Sequence, residues 1–268
     1  MGTGAVVGTG MAMGAERNNT RLVVLDMAGT TVADDGLVER AFDAAAAESG
    51  VAAGSPEHAV MLDYVRTTMG ESKISVFRHL FPTEEQAQRG NRAFEAAYAR
   101  LVGDGHCAAL PGAEEAIGTL RGAGLTVVLT TGFSGPTQRL ILEALGWQGI
   151  ADLALCPADA GGRGRPYPDL ALAALLRTGA ADDVRELAVV GDTGYDMRCG
   201  ASAGAGVVAG VLTGAHGAER LRADGATHVL GSVAELPGLL LGEGASAGSG
   251  AGLSADVVTD ADVPAASR

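Results

Sequence analysis

Lysine is almost missing from this chain of 268 residues: of 19 basic side chains, 18 are arginine and one is Lys73. A general bias towards arginine accounts for the ratio but not for the one lysine that remains. Arginine can supply ordinary surface charge. It cannot form an imine, because the guanidinium stays protonated and is no amine nucleophile. Positive charge as a whole is also scarce, 19 basic against 32 acidic side chains for a net charge of −13. That argues against nucleic acid and anionic membrane as partners, since phosphates attract lysine and arginine surfaces. Cysteine is limited to Cys107, Cys156 and Cys199, far apart and without a Cys-x-x-Cys pair. Such spacing fits a reduced cytoplasm better than a disulfide scaffold or a zinc site. No apolar run reaches the roughly 18 residues of a membrane span. The first 20 residues lack a basic region followed by an apolar core, so no secretory leader is expected.

What is present is an apolar chain, 47% hydrophobic, with an alternating pattern. Residues 1–19 are rich in glycine and are expected to be a loose leader. Their Gly-Thr-Gly repeats follow no strand, so they make a poor dinucleotide loop. Residues 242–268, rich in Gly, Ala, Ser and Asp, are expected to be a disordered tail. Between them, residues 22–25, 125–129, 153–155, 187–190 and 207–211 form short apolar runs, each followed by a helix-like stretch. Continuous apolar strands alternating with helices predict an α/β fold, a Rossmann-like parallel sheet covered on both faces. The exception is the region from residue 37 to 105, which has no strand pattern. It predicts helices over 37–49, 56–68, 71–81 and 84–102, punctuated by Gly50, Gly70, Pro82 and Gly103. The expected organisation is a core of residues 20–36 and 106–241 with an all-helical cap, 37–105, inserted after the first strand. Open α/β sheets bind ligands at that carboxyl edge.

Four motifs, three of them at strand ends, carry the chemistry. The first strand ends in Asp26-Met27-Ala28-Gly29-Thr30-Thr31, which suits a carboxylate nucleophile with backbone donors for a phosphate at Gly29 and Thr30. The second ends in Thr130-Thr131-Gly132-Phe133-Ser134, where a hydroxyl can meet a phosphoryl oxygen. Next comes Gly164-Arg165-Pro166-Tyr167-Pro168. A proline at a helix start fixes the loop and holds Arg165 towards Asp26, with Arg163 a less well placed rival. The fourth strand ends in Gly191-Asp192-Thr193-Gly194-Tyr195-Asp196, two carboxylates four apart at a strand–helix junction, a hard-oxygen site of the kind magnesium accepts. Each has an ordinary explanation when taken alone: a turn cap, a strand threonine, a surface arginine, a helix cap.

Together, in this order, the four motifs resemble the haloacid dehalogenase superfamily over roughly residues 21–235. The resemblance implies a magnesium ion held by Asp26, the Ala28 carbonyl and Asp192 with Asp196 in support. It also implies a phosphate cradle of Gly29, Thr30, Thr131, Gly132 and Arg165, and an aspartyl-phosphate on Asp26. The usual pattern places a second aspartate two residues after the nucleophile, where it protonates the leaving alkoxide of a phosphate ester. Here that position is Ala28. The departure is shared with the phosphonoacetaldehyde hydrolase family, whose motif reads Asp-x-Ala-Gly-Thr-Thr.

Met69-Gly70-Glu71-Ser72-Lys73 is similar to that family's Met-Gly-x-x-Lys, whose lysine forms an imine with the substrate aldehyde. Cleaving a C–P bond expels carbon, and a protonated imine turns that carbanion into a neutral enamine. A lysine electron sink therefore makes sense where the acid for a phosphate ester is absent. A helix beginning near Glu71 would put Lys73 in its first turn, where the helix dipole disfavours an ammonium. Two positions depart from the family: Val76 stands where a histidine is frequent, and Met27 where tryptophan is typical. His79 lies roughly 120° around a helix from Lys73 and is a poor substitute. His58, His106, His216 and His228 have no metal-ligand spacing and are expected to be structural or surface residues. The expected reaction is cleavage of phosphonoacetaldehyde or a related 2-oxo-alkylphosphonate, with Asp26 and Lys73 as the reacting side chains. The alternative is a phosphomonoesterase similar to phosphoglycolate phosphatase. A non-catalytic phosphate-binding protein is disfavoured by retention of Asp26, Thr131, Arg165 and Asp192. The resemblance further implies a homodimer acting on a small-molecule phosphonate or phosphate.

Overall fold

The computed structural model describes residues 19–242. The leader expected over 1–19 and the tail expected over 242–268 thus lie outside the described residues, apart from Asn19 and Gly242. Six strands form one parallel sheet in the order β3-β2-β1-β4-β5-β6. They are β1 (Leu22–Asp26), β2 (Thr126–Thr130), β3 (Leu153–Leu155), β4 (Leu187–Gly191), β5 (Val207–Val211) and β6 (His228–Leu230). Strands β1, β4 and β5 are buried throughout, as expected for continuous apolar runs covered on both faces. β6 is an addition to the five expected strands. It is a short edge strand whose first residue, His228, is exposed, so it has no continuous apolar run to betray it.

The strand order reverses between β1 and β4, and that is where a doubly wound sheet opens a crevice at its carboxyl edge. Asp26 ends β1 and Asp192 follows β4, so both acids sit at this switch point.

Between β1 and β2 lie α1 (Leu37–Glu48), α2 (Pro56–Thr67), α3 (Lys73–Leu80), α4 (Glu84–Gly103) and α5 (Ala113–Gly122). Helix α3 begins at Lys73, two residues later than the sequence pattern suggests, because Gly70 takes a left-handed φ of 88° and Met69–Ser72 is spent on a turn. Ser55 and Thr83 cap α2 and α4 through their side chains. After the sheet is entered the chain alternates through α6 (Gly135–Ala144), α7 (Asp169–Thr178), α8 (Gly194–Ala203), α9 (Ala218–Ala223) and α10 (Leu236–Leu241). Among the described residues no helix is long and apolar enough to cross a membrane.

Aromatic rings join the inserted helices to the sheet. Phe42 and Phe77 stack with centroids 6.3 Å apart, and Phe77 meets Phe94 edge-on at 5.8 Å. Phe94 and Tyr98 then reach Phe133, just past β2, at 6.3 and 4.6 Å. Such contacts add to the large apolar area each ring buries. The position of α3, and with it Lys73, depends on this cluster. Helix α4 admits α3 closely at Gly90, where a methyl group would stand 2.9 Å from the Phe77 and Phe81 rings.

Two opposing effects therefore meet at Gly90. Glycine to alanine inside a helix ordinarily gains about 1 kcal/mol, but overpacking a filled core costs about 1–3 kcal/mol. Phe77 is buried among other rings and cannot yield, so Gly90→Ala should destabilise the protein on the order of 1 kcal/mol. A urea titration should show a lower midpoint with an unchanged slope; a raised midpoint would contradict this packing.

Candidate active site

Asp26, Asp192 and Asp196 are buried, and each offers an oxygen within 4.8 Å of the others. Three carboxylates so close cannot all remain charged without compensation. Arg165 provides part of it. Its Nη1 meets Asp26 Oδ1 at 2.5 Å, and its Nε meets Asp196 Oδ1 at 2.9 Å. Its Nη2 donates to Thr130 Oγ1 at 2.9 Å, which fixes the plane of the guanidinium. Burial opposes the arginine's charge, yet the carboxylates of Asp196 and Asp26 outweigh that and hold it firmly protonated. The compensation is incomplete. Burial, abetted by the Asp196 charge, pushes Asp26 up to about 7 in spite of Arg165. Asp192 is also raised well above the usual carboxylate range, by burial and then by Asp26 and Asp196.

The loops hold these groups by backbone bonds. Thr193 caps α8 and its hydroxyl donates to Asp196 Oδ2, so Asp196 is engaged on both oxygens. Asp192 Oδ2 accepts from the Ala215 amide at 2.8 Å. The Thr30 hydroxyl lies between Asp26 Oδ2 at 3.5 Å and Asp192 Oδ1 at 3.4 Å. Gly29 has φ 82°, and a Cβ there would lie 2.5 Å from Asp192 Oδ2. Only glycine serves where the β1 loop turns beneath that carboxylate.

A cavity of about 410 Å³ opens above the cluster. Asp26, Asp192 and Arg165 lie at its base with Ala28, Gly29, Thr131 and Gly132, while Met69, Gly70 and Lys73 reach it from the inserted helices. The two sides are pressed together. The Lys73 amide donates to Gly132 O at 3.2 Å, and a Cβ on Gly132 would stand 2.7 Å from Glu71 O. The Lys73 ammonium lies 5.4 Å from the centre of the Phe133 ring. Burial lowers its pKa below the ordinary lysine value, more than Asp34 and Asp26 raise it. Its place as first residue of α3 acts in the same direction.

Nine of the eleven site residues expected from the sequence line one cavity, while Thr30 and Asp196 are buried off it, bonded to Asp26 and Asp192 and to Arg165 respectively. Arg163 does not line it: it is an exposed partner of Asp169 at 2.9 Å. None of the five histidines lines the cavity. His58 is buried against Asp43, His79 stacks on Tyr64 with centroids 4.0 Å apart, and His216 accepts from the Gly194 amide. The family's histidine position, Val76, is buried in the apolar cluster. Sequence reasoning missed Thr130, which orients Arg165, and the loop after β5, where the Thr213 hydroxyl donates to Gly29 O at 2.7 Å and Ala215 holds Asp192. The carboxyl end of β5 at the same sheet edge was the available signal. It also missed Asp34 and Asp35 on the cavity wall.

A family model of haloacid dehalogenase-like hydrolases matches residues 20–204. A phosphonoacetaldehyde hydrolase of Syntrophobacter fumaroxidans is 32% identical over 199 residues, 69% of either chain. One from Bacillus cereus is 30% identical over 204 residues, 72% of this chain and 75% of that one. In three dimensions, a hydrolase from Pseudomonas syringae superposes with a TM-score of 0.70 at 26% identity, over 81% of this chain and 95% of the other. A phosphonoacetaldehyde hydrolase-like protein from Oleispira antarctica, at 23% identity, shares the fold with a TM-score of 0.70 over 90% and 95%. With a Rossmann-like core, four motifs along its carboxyl edge and these relatives, the chain belongs to the haloacid dehalogenase-like hydrolases, as a phosphonatase-like member.

Proposed function

We propose that this protein cleaves the C–P bond of phosphonoacetaldehyde or a related 2-oxo-alkylphosphonate, with Lys73 as imine former and Asp26 as nucleophile. The observation that carries the reading is the chain's single lysine, in one cavity with the Asp26 carboxylate, where Ala28 offers a methyl group in place of a second acid. In this reading residues 20–36 and 106–241 are the core and 37–105 the cap, and the cavity lies between them.

The buried cluster fits magnesium. Its donors are carboxylate oxygens, as a hard cation requires, and Asp26 and Asp192 keep a residual repulsion that a divalent charge would relieve. Asp26, the Ala28 carbonyl and Asp192 would hold the ion, with Asp196 in support. When bound, magnesium draws charge from a phosphoryl oxygen and lets the anionic group approach a carboxylate.

The protein's own groups account for the rest. The Lys73 amine condenses with the carbonyl, water leaves, and a protonated imine forms. The Asp26 carboxylate attacks phosphorus. The C–P electron pair then moves into a new C=C bond, and the imine π pair settles on nitrogen as a neutral enamine. Arg165 and Thr131 hold the phosphoryl oxygens; the Gly29 and Thr30 amides, expected from the sequence to join them, instead donate to Val32 O at 2.7 Å and Met27 O at 3.1 Å within the loop. Protonation of the enamine carbon and hydrolysis of the imine return Lys73, and water releases phosphate from Asp26.

Borohydride with phosphonoacetaldehyde should inactivate the enzyme and place one adduct on Lys73. Lys73→Arg should lose both adduct and C–P cleavage but keep phosphate binding. The wild-type reaction should rise with pH as the amine deprotonates, with a midpoint below the ordinary 10.5 because burial depresses it. Continued cleavage by the arginine variant would contradict the imine. Ala28→Asp restores the missing proton donor, so hydrolysis of simple phosphate esters should rise roughly 10²–10⁴-fold; efficient ester hydrolysis by the wild type would contradict the assigned reaction. For the metal, calorimetry should show magnesium raising the wild-type Tm. Asp192→Asn should lose that response while its metal-free Tm stays at least as high, because one repelling charge is gone. An undiminished response would place the cation elsewhere.

A further inference from the structure

An imine cannot form unless protons are moved. Two of the three ammonium protons of Lys73 must end on the carbonyl oxygen, which departs as water, while one stays on the imine nitrogen. A nearby base must take each proton and give it back. Most ionisable side chains on the cavity wall are already committed. Asp26, Asp192 and Arg165 form the phosphate end. Glu39 accepts two hydrogen bonds from Arg66, at 2.8 and 2.7 Å, and Asp35 is exposed at the rim. No histidine lines the wall. Asp34 remains. It sits half-buried in the loop between β1 and α1, with only its Oδ1 used, as a long 3.3 Å acceptor from the Val38 amide.

We infer that Asp34 is the proton-transfer partner of Lys73 in imine formation, a role that rests on the imine reading above. Asp34 first takes a proton from the ammonium, freeing the amine to attack the carbonyl carbon. It gives that proton to the new alkoxide, then takes a second from the carbinolamine nitrogen. Returned to the hydroxyl, that second proton lets water leave as the C=N bond forms. Asp34 ends as the carboxylate it began as, and no other reactant is consumed.

Two further observations agree. Asp34 is the carboxylate that acts most strongly on Lys73, ahead of Asp26 and Asp192, and Lys73 is the strongest charge on Asp34. Burial raises the Asp34 carboxyl, against the Lys73 charge, which brings an acid closer to the range useful for exchanging protons near neutrality. Beside it, the Tyr98 hydroxyl is buried without a hydrogen-bond partner, an unused donor within electrostatic reach of Asp34. The other charged or titratable groups facing the pair are Asp35 and Glu39 towards Asp34, and Arg165 and Glu71 towards Lys73.

The test is the rate of borohydride-trappable adduct formation with phosphonoacetaldehyde in the magnesium-loaded full chain. Asp34→Asn keeps an acceptor for the Val38 amide. If Asp34 shuttles protons, this variant forms the adduct roughly 10²-fold more slowly or worse. It also loses the acid limb of the pH profile, along which rate rises as Asp34 deprotonates. Its binding of inorganic phosphate stays at the wild-type value. A purely electrostatic role gives the opposite sign: removing the negative charge lowers the Lys73 pKa further, frees more amine and speeds the adduct. Formate should restore part of the rate to Asp34→Ala. An Asn variant that traps at the wild-type rate or faster overturns the inference, and so does an Ala variant that formate cannot rescue. If the wild type traps no adduct, the imine reading falls and this inference with it; trapping by the wild type and the Asn variant alike overturns the inference alone.

Discussion

The guanidinium of Arg165, buried between Asp26 and Asp196 and bonded to Thr130, is the interaction on which the site depends. It crosses from the loop before α7 to the tips of β1 and β2 and the first turn of α8. Removing one partner of a buried ion pair leaves the other charge uncompensated, at a cost of about 3–5 kcal/mol. Here the uncompensated charge would be a carboxylate already crowded by two others. Burial, with the Asp196 charge added to it, explains why Asp26 is pushed up to about 7, and three crowded carboxylates are a donor set that could hold a divalent cation.

The second constraint is mechanical. Asp26 belongs to the sheet, and Lys73 to a helix inserted after β1. The proposed chemistry requires both in one cavity. The Lys73–Gly132 backbone bond, the absence of a side chain at Gly132 and the ring cluster through Phe77, Phe94 and Phe133 hold the two sides in contact. In the proposed reaction burial would serve function as well as stability, because the contact that excludes water also lowers the lysine pKa.

Much of this was legible in the sequence, for a physical reason. In a parallel sheet all strands deliver their carboxyl ends to one edge, so the motifs at the ends of β1, β2 and β4, and the loop that follows β3, must meet even when far apart in sequence. Asp26, Thr131, Arg165 and Asp192 could be placed together on that ground, and Lys73 stood out by composition. What escaped depends on paths the pattern does not encode. The Thr130–Arg165 and Ala215–Asp192 bonds join residues 35 and 23 positions apart through irregular loops. The start of α3 was displaced by the left-handed turn at Gly70. β6 is too short, and too exposed at its start, to carry a periodicity. Asp34 lies in the loop joining sheet and inserted helices, where an aspartate is ordinarily a helix cap.

The central claim is that the bond broken is C–P rather than O–P. The most direct measurement is simultaneous quantification of phosphate and acetaldehyde released from phosphonoacetaldehyde by the magnesium-loaded protein, beside phosphate release from a panel of phosphate esters. The account predicts equal amounts of the two products from the phosphonate, with a kcat/KM far above that for any ester. Phosphate released readily from esters, with neither product formed from the phosphonate, would contradict it.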